Sequence, residues 1–356
     1  MFFCTQEQKI LFILKKIRTF AHNFSKMDSI TDIRLSIAND WKRYEQSMTD
    51  CLQSDNRALQ QVLNYIRSRS GKQLRPLLVL LSAQLCHSIT DKTIHTATAL
   101  ELLHNASLVH DDVVDSSDTR HGVPAVHAQW NNKVAVLTGD YMLAKVIALI
   151  SEVRNTRILE IISHLGQSLS SGEVLQLHIG QSMWINEERY LQIINQKTAQ
   201  LFQSCAEAGG ESAGCTQRQR TALKEYGQLL GLCFQIKDDI FDYSDLEDLG
   251  KPTMSDLRDG KVTLPLIIAL QRAPQPEADH IRQLGELVAT ESESPETEKR
   301  LEEIKSFVLR FQGNEYAVQK MLAYKKQAIE ALRIFRDSKT KESLLALLDY
   351  AIHRIQ

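Results

Sequence analysis

The sequence holds little glycine and little proline, 15 and 7 residues in 356. Period-two alternation bounded by turn residues, the mark of strands and hairpins, is correspondingly scarce, which argues against a sandwich or barrel. Charge of one sign is missing too: 42 Lys and Arg stand against 44 Asp and Glu, a net charge of -2. Without a basic stripe to displace counterions from phosphates, nucleic acid is excluded as a partner. The six cysteines (Cys4, Cys51, Cys86, Cys205, Cys215 and Cys233) are dispersed, with no C-x-x-C. That spacing predicts no disulfide framework and no compact thiol cluster; the cysteines read as reduced residues of a cytosolic, cytoplasmic protein. No repeat of fixed period is present.

What is plentiful is apolar residues at helical spacing, within a composition that is 43% hydrophobic. From about Leu52 the pattern is helical almost throughout, as in "NRALQQVLNYIRSR", "QLRPLLVLLSAQLC" and "KVAVLTGDYMLAKVIALI". Helices are expected at about 157–179, 186–209 and 217–243, with the acidic piece 290–298 as a solvated loop. Length alone predicts about two domains, but the unbroken helical pattern predicts one large all-α domain over residues 28–356. Residues 1–27 hold five Lys/Arg against one Glu, and their apolar run is too short to span a membrane. They read as an extension outside the fold, with Met27 as an alternative start. An organelle presequence, basic and acid-poor, and a surface amphipathic helix are the competing readings.

One local echo stands out. Asp111, Asp112 and Asp115 in "SLVHDDVVDSSDTRHG" are matched by Asp238, Asp239 and Asp242 in "FQIKDDIFD". Each triplet is acidic at i, i+1 and i+4, at the end of an apolar helix and before a polar loop. Positions i and i+4 share a helix face. Side-by-side carboxylates repel and are costly to bury unpaired, so a cation must lie over them. Carboxylates with no neighbouring Cys or His pair are hard ligands, and Mg²⁺, which shares its sphere with water and substrate phosphate, is the natural ion. Cations surround these motifs: Lys72 and Arg75 in "GKQLRP", near a helix start that favours phosphate, then Arg120, Lys197, Lys251 and Lys261. Together they predict a site for two phosphate-bearing substrates.

The motifs "GKQLRP", "ELLHNASLVHDDVVDSSDTRHG", "NNKVAVLTGDYMLA", "SGEVLQL", "YLQIINQKTAQLF", "GLCFQIKDDIFD" and "DLGKPTMSDLRDGKVTLP" occur in this order. Over about residues 40–355 the chain resembles the trans-isoprenyl diphosphate synthases, the polyprenyl synthetase family. The resemblance implies an all-α isoprenoid synthase fold, a helical bundle around a deep central cavity, usually a homodimer. It implies addition of isopentenyl diphosphate, head to tail, to an allylic diphosphate, with cations neutralising the departing diphosphate. By the same resemblance Asp111 and Asp115 hold two Mg²⁺ and Asp238 a third, with Asp242 nearby and Asp112 and Asp239 orienting the ligands around them. Arg120, Lys197 and Lys251 hold the allylic diphosphate, Lys261 lies beside it, and Lys72, Arg75 and His104 hold isopentenyl diphosphate. Lys197, Thr198 and Gln235 meet the carbocation with their dipoles, and the released diphosphate takes the final proton. Peripheral contact with a membrane is expected for release of so apolar a product.

One position departs from the family pattern, which has two consecutive arginines where this chain has Arg120 and His121. The second arginine normally helps bind isopentenyl diphosphate. An imidazole, with an ordinary pKa of about 6.5, is at most a single donor near neutrality. His121→Arg is therefore expected to lower KM for isopentenyl diphosphate, and the native KM is expected to fall as pH drops toward that value. A KM unmoved by the substitution refutes the assignment.

Product length is expected to follow from the residues beneath the first acidic motif. Ala106 lies five residues before Asp111, about 7.5 Å along the helix, where short-chain members tend to carry an aromatic plug. The run from Thr96 to Asp115 contains no Phe, Tyr or Trp, and Ala106 and Ser107 are small. An open cavity, and a hexaprenyl to decaprenyl product suited to a quinone side chain, are expected; close helix packing is the bland alternative. A terpene cyclase would need no second diphosphate site and usually mixes Asn, Ser and Glu in its second metal motif. A non-catalytic subunit of a heteromeric synthase would generally lose aspartates, whereas all six remain here. A geranylgeranyl synthase is the shorter-chain alternative.

Overall fold

The computed structural model of the protein describes residues 30–69, 71–120, 122–179, 185–243, 254–290 and 294–353, with the backbone alone for 176–179. The expectations for residues 1–27, His121 and Lys251 lie outside the described residues. Nearly everything described is helix. In chain order come α1 (Ile30–Leu35), α2 (Ala38–Cys51), α3 (Arg57–Arg67), α4 (Leu74–Cys86) and α5 (Asp91–Val114). A two-stranded ribbon, β1 (Thr119–Arg120) antiparallel to β2 (Val123–Pro124), precedes α6 (Val126–Gln129), α7 (Asn132–Val153) and α8 (Thr156–Ile179). Next come α9 (Glu187–Ile194), a π-helical turn (Asn195–Ala199), α10 (Gln200–Ser212) and α11 (Gln217–Asp242). The last are α12 (Ser255–Arg258), α13 (Leu264–Arg272), α14 (Gln275–Thr290), α15 (Pro295–Arg310), α16 (Gly313–Ala331) and α17 (Lys339–His353).

The physical centre is α4. Leu77, Leu78, Val79, Leu80 and Leu81 have no exposed surface, so this helix is apolar on every side and must be covered on every side. It packs against α5, α10 and α17, while α5 lies along α7 and α11 is held between α10 and α16. One apolar cluster extends from Ile33 to Ile352.

The two helices that carry the acidic motifs are built alike. Thr90 before α5 and Thr216 before α11 each form a reciprocal capping box with the third helical residue, Thr93 and Gln219. Such caps satisfy otherwise orphaned N–H groups and stabilise by about 1 kcal/mol each. Both helices then run more than twenty residues and end at their aspartates, roughly 35 Å from the caps at 1.5 Å per residue. Their starts are anchored remotely and their acidic ends converge.

Two boundaries differ from the sequence reading. The helix expected over 186–209 is interrupted at Asn195–Ala199 by the π turn. The acidic piece 290–298 is not wholly a loop: Ser294 caps α15, whose first turn is Pro295, Glu296, Thr297 and Glu298. Acids in the first turn meet the positive end of the helix dipole, and Pro is tolerated at the first helical position.

Candidate active site

Asp111 and Asp115 sit at the end of α5, Asp111 half-buried and Asp115 exposed. Burial, and next the nearby Glu173 carboxylate, push the Asp111 carboxyl up to about 6, with Lys197 and Arg120 opposing the shift and Asp115 adding to it. Glu173 on α8 pairs with the Lys197 ammonium at 3.2 Å, and its Oε1 is buried with no hydrogen-bond partner. Three carboxylates thus face two cationic side chains. The middle aspartate of the motif behaves differently. Asp112 is buried, and its Oδ1 accepts from Arg120 Nε at 2.8 Å and Nη2 at 2.6 Å. The ribbon β1–β2 supplies Arg120 in the right place for that pairing.

The second motif divides in the same way. Asp239 is fully buried and accepts hydrogen bonds from the Tyr190 hydroxyl and, at 2.9 Å, from Gln235 Nε2. Burial, then the neighbouring Asp256, push its carboxyl up to about 8 against those two hydrogen bonds. With its amide nitrogen committed to Asp239, Gln235 turns its carbonyl toward Thr198, whose Oγ1 donates at 2.8 Å. Asp242 ties the chain's return to the helix end: Oδ1 accepts from Ser255 N at 2.8 Å and Oγ at 3.1 Å, and Oδ2 from Asp256 N at 3.2 Å. This is capping of α12 by a carboxylate, so Asp242 has a structural employment that the sequence reading did not foresee.

The π turn presents Lys197 and Thr198 side by side. A π turn inserts one extra residue into a helix and is commonest at functional sites. Here it is pinned by Gln228 Nε2, which donates to Asn195 Oδ1 at 2.8 Å. Its other support is the close approach of α11, where a Cβ added at Gly231 would lie 2.6 Å from Ala199 Cα. Gly231→Ala is therefore expected to push α11 off the π turn and to destabilise the protein by about 1–3 kcal/mol, the range for overpacking. A thermal scan would read this as a loss of several degrees, and an unchanged midpoint would mean that the helices separate without penalty.

A cavity of about 190 Å³ joins these parts, lined by Tyr190, Lys197, Thr198, Gln235, Asp239 and Lys261 among others. Lys261 is bonded to Asp259 at 2.9 Å. Asp259, Asp256 and, from the first motif, Asp115 keep its ammonium above the ordinary lysine value despite burial. Lys261 therefore links the first acidic motif to Asp256 and Asp259. The space is far smaller than the deep central cavity expected for the fold. A larger hollow, about 510 Å³, lies elsewhere, between α14 and α15, beside His280, Glu303 and Phe307, and touches none of these groups.

Arg75 and His104 form the neighbouring cluster. Burial, then Arg75 and Arg120, hold the His104 imidazole well below its ordinary value, so it is neutral near pH 7. Arg75 also lies near the buried Glu101, whose carboxyl is raised by burial and only partly lowered by that guanidinium. Gln73, with φ 47°, turns the chain sharply into α4, and Lys72 before it is exposed, its ammonium 5.5 Å from the centre of the Tyr350 ring. Ala106 is fully enclosed, whereas Ser107 is half-buried and donates to the His104 carbonyl at 2.9 Å.

Three residues of this site escaped the sequence reading: Glu173, Tyr190 and Asp256. Glu173 stands in "SGEVLQL" and Tyr190 in "YLQIINQKTAQLF", so both lie within motifs of the resemblance but without a chemical pattern of their own. Asp256, whose carboxyl burial and then Asp242 push up to about 6, stands on α12 within "DLGKPTMSDLRDGKVTLP" and likewise carries no pattern of its own.

The donor set suits a hard cation. It consists of carboxylate oxygens, one of them orphaned and buried on Glu173, with no thiolate. Among the described residues no three His, Cys, Asp or Glu side chains close around an ion by themselves.

Residues 56–304 match the family model described as Polyprenyl synthetase. The chain is 32% identical over 333 residues to the octaprenyl diphosphate synthase of Escherichia coli (strain K12), covering 93% of this chain and 99% of that one. It is 35% identical over 332 residues to an all-trans-nonaprenyl-diphosphate synthase (geranyl-diphosphate specific) of Rhodobacter capsulatus, covering 93% and 99%. A crystal structure of a polyprenyl synthase from Caulobacter crescentus CB15, complexed with calcium and isoprenyl diphosphate, superposes with a TM-score of 0.83 at 32% identity. It covers 92% of this chain and 99% of that one.

Proposed function

Because the chain belongs to the polyprenyl synthetase family, a family of prenyltransferases with the all-α isoprenoid synthase fold, we propose that it condenses isopentenyl diphosphate onto an allylic diphosphate to make a long-chain trans-polyprenyl diphosphate. The observation that carries this reading is that Lys197 and Lys261, which line one cleft together with Asp239 of the second motif, also lie within charge range of Asp111 and Asp115 of the first. Similarity to octaprenyl and nonaprenyl synthases supports the long product, and a quinone side chain is its natural use.

Asp111, Asp115 and Asp238 would hold Mg²⁺, three ions by the family's pattern, and Glu173 is a further oxygen donor beside them. The bound cations supply neutralisation of the allylic diphosphate as its C–O bond breaks. Lys197 orients that diphosphate together with Arg120, whose guanidinium Asp112 fixes; by the family's pattern Lys251 would add a further cation. Gln235 and Thr198 direct their oxygens to the cation that forms, and the chain Tyr190–Asp239–Gln235–Thr198 prevents the amide from turning its N–H₂ toward it. Arg75, Lys72 and neutral His104 receive isopentenyl diphosphate, the imidazole as a single hydrogen-bond partner. Ser107, one turn below Asp111, and Ala106 set how far the product grows.

A homodimer is part of this proposal. α7 is long and apolar enough to cross a membrane by composition alone, yet it packs along α5. Its outer face leaves Leu137 and Ile147 68% and 71% exposed, an area that a second copy would cover. A cytoplasmic location with peripheral membrane contact for product release completes the reading.

Incubating the purified protein with farnesyl diphosphate, labelled isopentenyl diphosphate and Mg²⁺, then sizing the dephosphorylated products, tests it. A ladder ending at one long prenol is expected. A ladder ending at geranylgeraniol would assign the shorter-chain reading, and no incorporation at pH 6.5 or 8 would overturn self-sufficient catalysis in favour of a missing partner subunit.

A further inference from the structure

The sequence reading found no relation among the dispersed cysteines, but two of them meet in space. Cys86 ends α4, and Cys215 lies in the turn between α10 and α11, just before the cap residue Thr216. The meeting is made possible by glycine. A Cβ at Gly209 would lie 2.4 Å from the Val79 carbonyl oxygen, so α10 approaches the α4 backbone more closely than any side chain would allow. A Cβ at Gly210 would lie 3.3 Å from Cys215 Sγ and 3.6 Å from Cys86 Sγ. Both sulfurs therefore sit over the same bare glycine, and the two thiols are hydrogen-bonded to each other. Each residue is half-buried, next to exposed neighbours at His87 and Thr216, whereas Cys205 and Cys233 are fully buried.

We propose that Cys86 and Cys215 form a reversible dithiol–disulfide pair, a redox modification site that clamps the end of α4 to the α10–α11 turn. The partner chemistry is a small-molecule disulfide of the glutathione class. Cys215 is the attacking group: the hydrogen bond from Cys86 holds its thiol below the ordinary range against burial and Glu211, and Arg220 adds to this. The same hydrogen bond, then burial, keeps the Cys86 thiol protonated. Cys215 thiolate attacks one sulfur of the small disulfide, forming a mixed disulfide and expelling a thiolate, which takes the Cys86 proton. The Cys86 thiolate then attacks Cys215 Sγ and expels the second thiolate, protonated by water. The protein dithiol is oxidised by two electrons and the small disulfide is reduced to two thiols; the second step is fast because the resolving thiol is already in contact.

The site stands at the ends of α4 and α11 opposite to Arg75 and Asp238. The clamp therefore closes a long chain segment and restricts the unfolded state without touching substrate.

The test is to incubate the full-length protein with oxidised glutathione, block the remaining thiols, and map unreduced peptides by mass spectrometry. A Cys86–Cys215 cross-linked peptide two hydrogens lighter than the sum of its parts is expected, with the loss of two titratable thiols. The melting temperature should rise by several degrees, and dithiothreitol should reverse both changes. Cys215→Ser should abolish the cross-link while retaining prenyl transfer. Persistent glutathione adducts on either residue, or separate blocking of both, would overturn the pairing in the wild type whatever the variant does. A cross-link that forms only with a lower melting temperature would overturn it as native geometry.

Discussion

Replacing Asp111 by Asn is expected to lower kcat about a thousandfold while leaving the metal-free protein as stable as the wild type or more so. The loss follows from the chemistry of the leaving group. An ionised oxygen that helps a cation neutralise departing diphosphate contributes several kcal/mol, and each 1.36 kcal/mol is about a factor of ten. The stability change has the opposite sign because Asp111 is a liability in the empty site. It lies beside Glu173 and Asp115, and its carboxyl is raised to about 6 by burial and then by Glu173. A carboxylate raised in the folded state holds its proton more tightly there than in the unfolded chain. Its contribution is favourable below the ordinary value of 3.8 and is lost as pH rises through about 6. Metal-free wild-type protein should therefore lose stability over that window, and the Asn variant should lose less. Adding Mg²⁺ with inorganic diphosphate at pH 8 should raise the wild-type melting temperature, by the mass-action effect of a ligand that binds only the folded state, and raise that of the variant much less. A falling melting temperature with undiminished kcat would make Asp111 a structural residue.

That pairing of low stability with high activity explains which features were legible in the sequence. The helices were, because burying one apolar stripe is a periodic requirement: 157–179 and 217–243 were expected, and Thr156–Ile179 and Gln217–Asp242 are found. The six aspartates were legible for the converse reason, since a carboxylate at the end of an apolar helix breaks the local rule without local compensation. Their division of labour came only through the family resemblance, which set Asp112 and Asp239 apart from the other four. Asp112 and Asp239 are turned inward, Asp112 to Arg120 eight residues on, Asp239 to Gln235 one helical turn back and to Tyr190 on another helix; the spacing of the motif alone does not say which aspartate turns in. The π turn at Asn195–Ala199 is equally silent, because its supports, Gln228 and the bare Gly231, lie on another helix. The same holds for Cys86 and Cys215, brought together by Gly209 and Gly210. Tertiary proximity created by an absent side chain is what single-sequence reading is least able to see.

Ala106→Phe is expected to shorten the product by several isoprene units while the protein remains folded. Ala106 and Asp111 lie on the same helix about 7.5 Å apart along its axis, and under the proposed function Asp111 marks the level of the allylic diphosphate. The growing chain must pass this level if it is to run between α5 and its neighbours. An aromatic ring there presents a wall, since the protein interior is packed too tightly to give way by a ring's volume. The competing consequence comes from the structure itself: Ala106 is fully enclosed within the main apolar cluster. If no chain ever passes it, a ring at this position is plain overpacking, which typically costs about 1–3 kcal/mol and would lower the melting temperature without changing the length of the prenol. The two measurements together decide. A shorter product at a nearly native melting temperature places the elongation path beside Ala106. A native product from a destabilised protein moves the path to the half-buried Ser107 side of α5, where Ser107→Phe should then shorten it instead. That alternative has a physical basis in the helix repeat: Ser107 is four residues from Asp111 and shares its face, whereas Ala106, five residues away, is turned by roughly a further 100°.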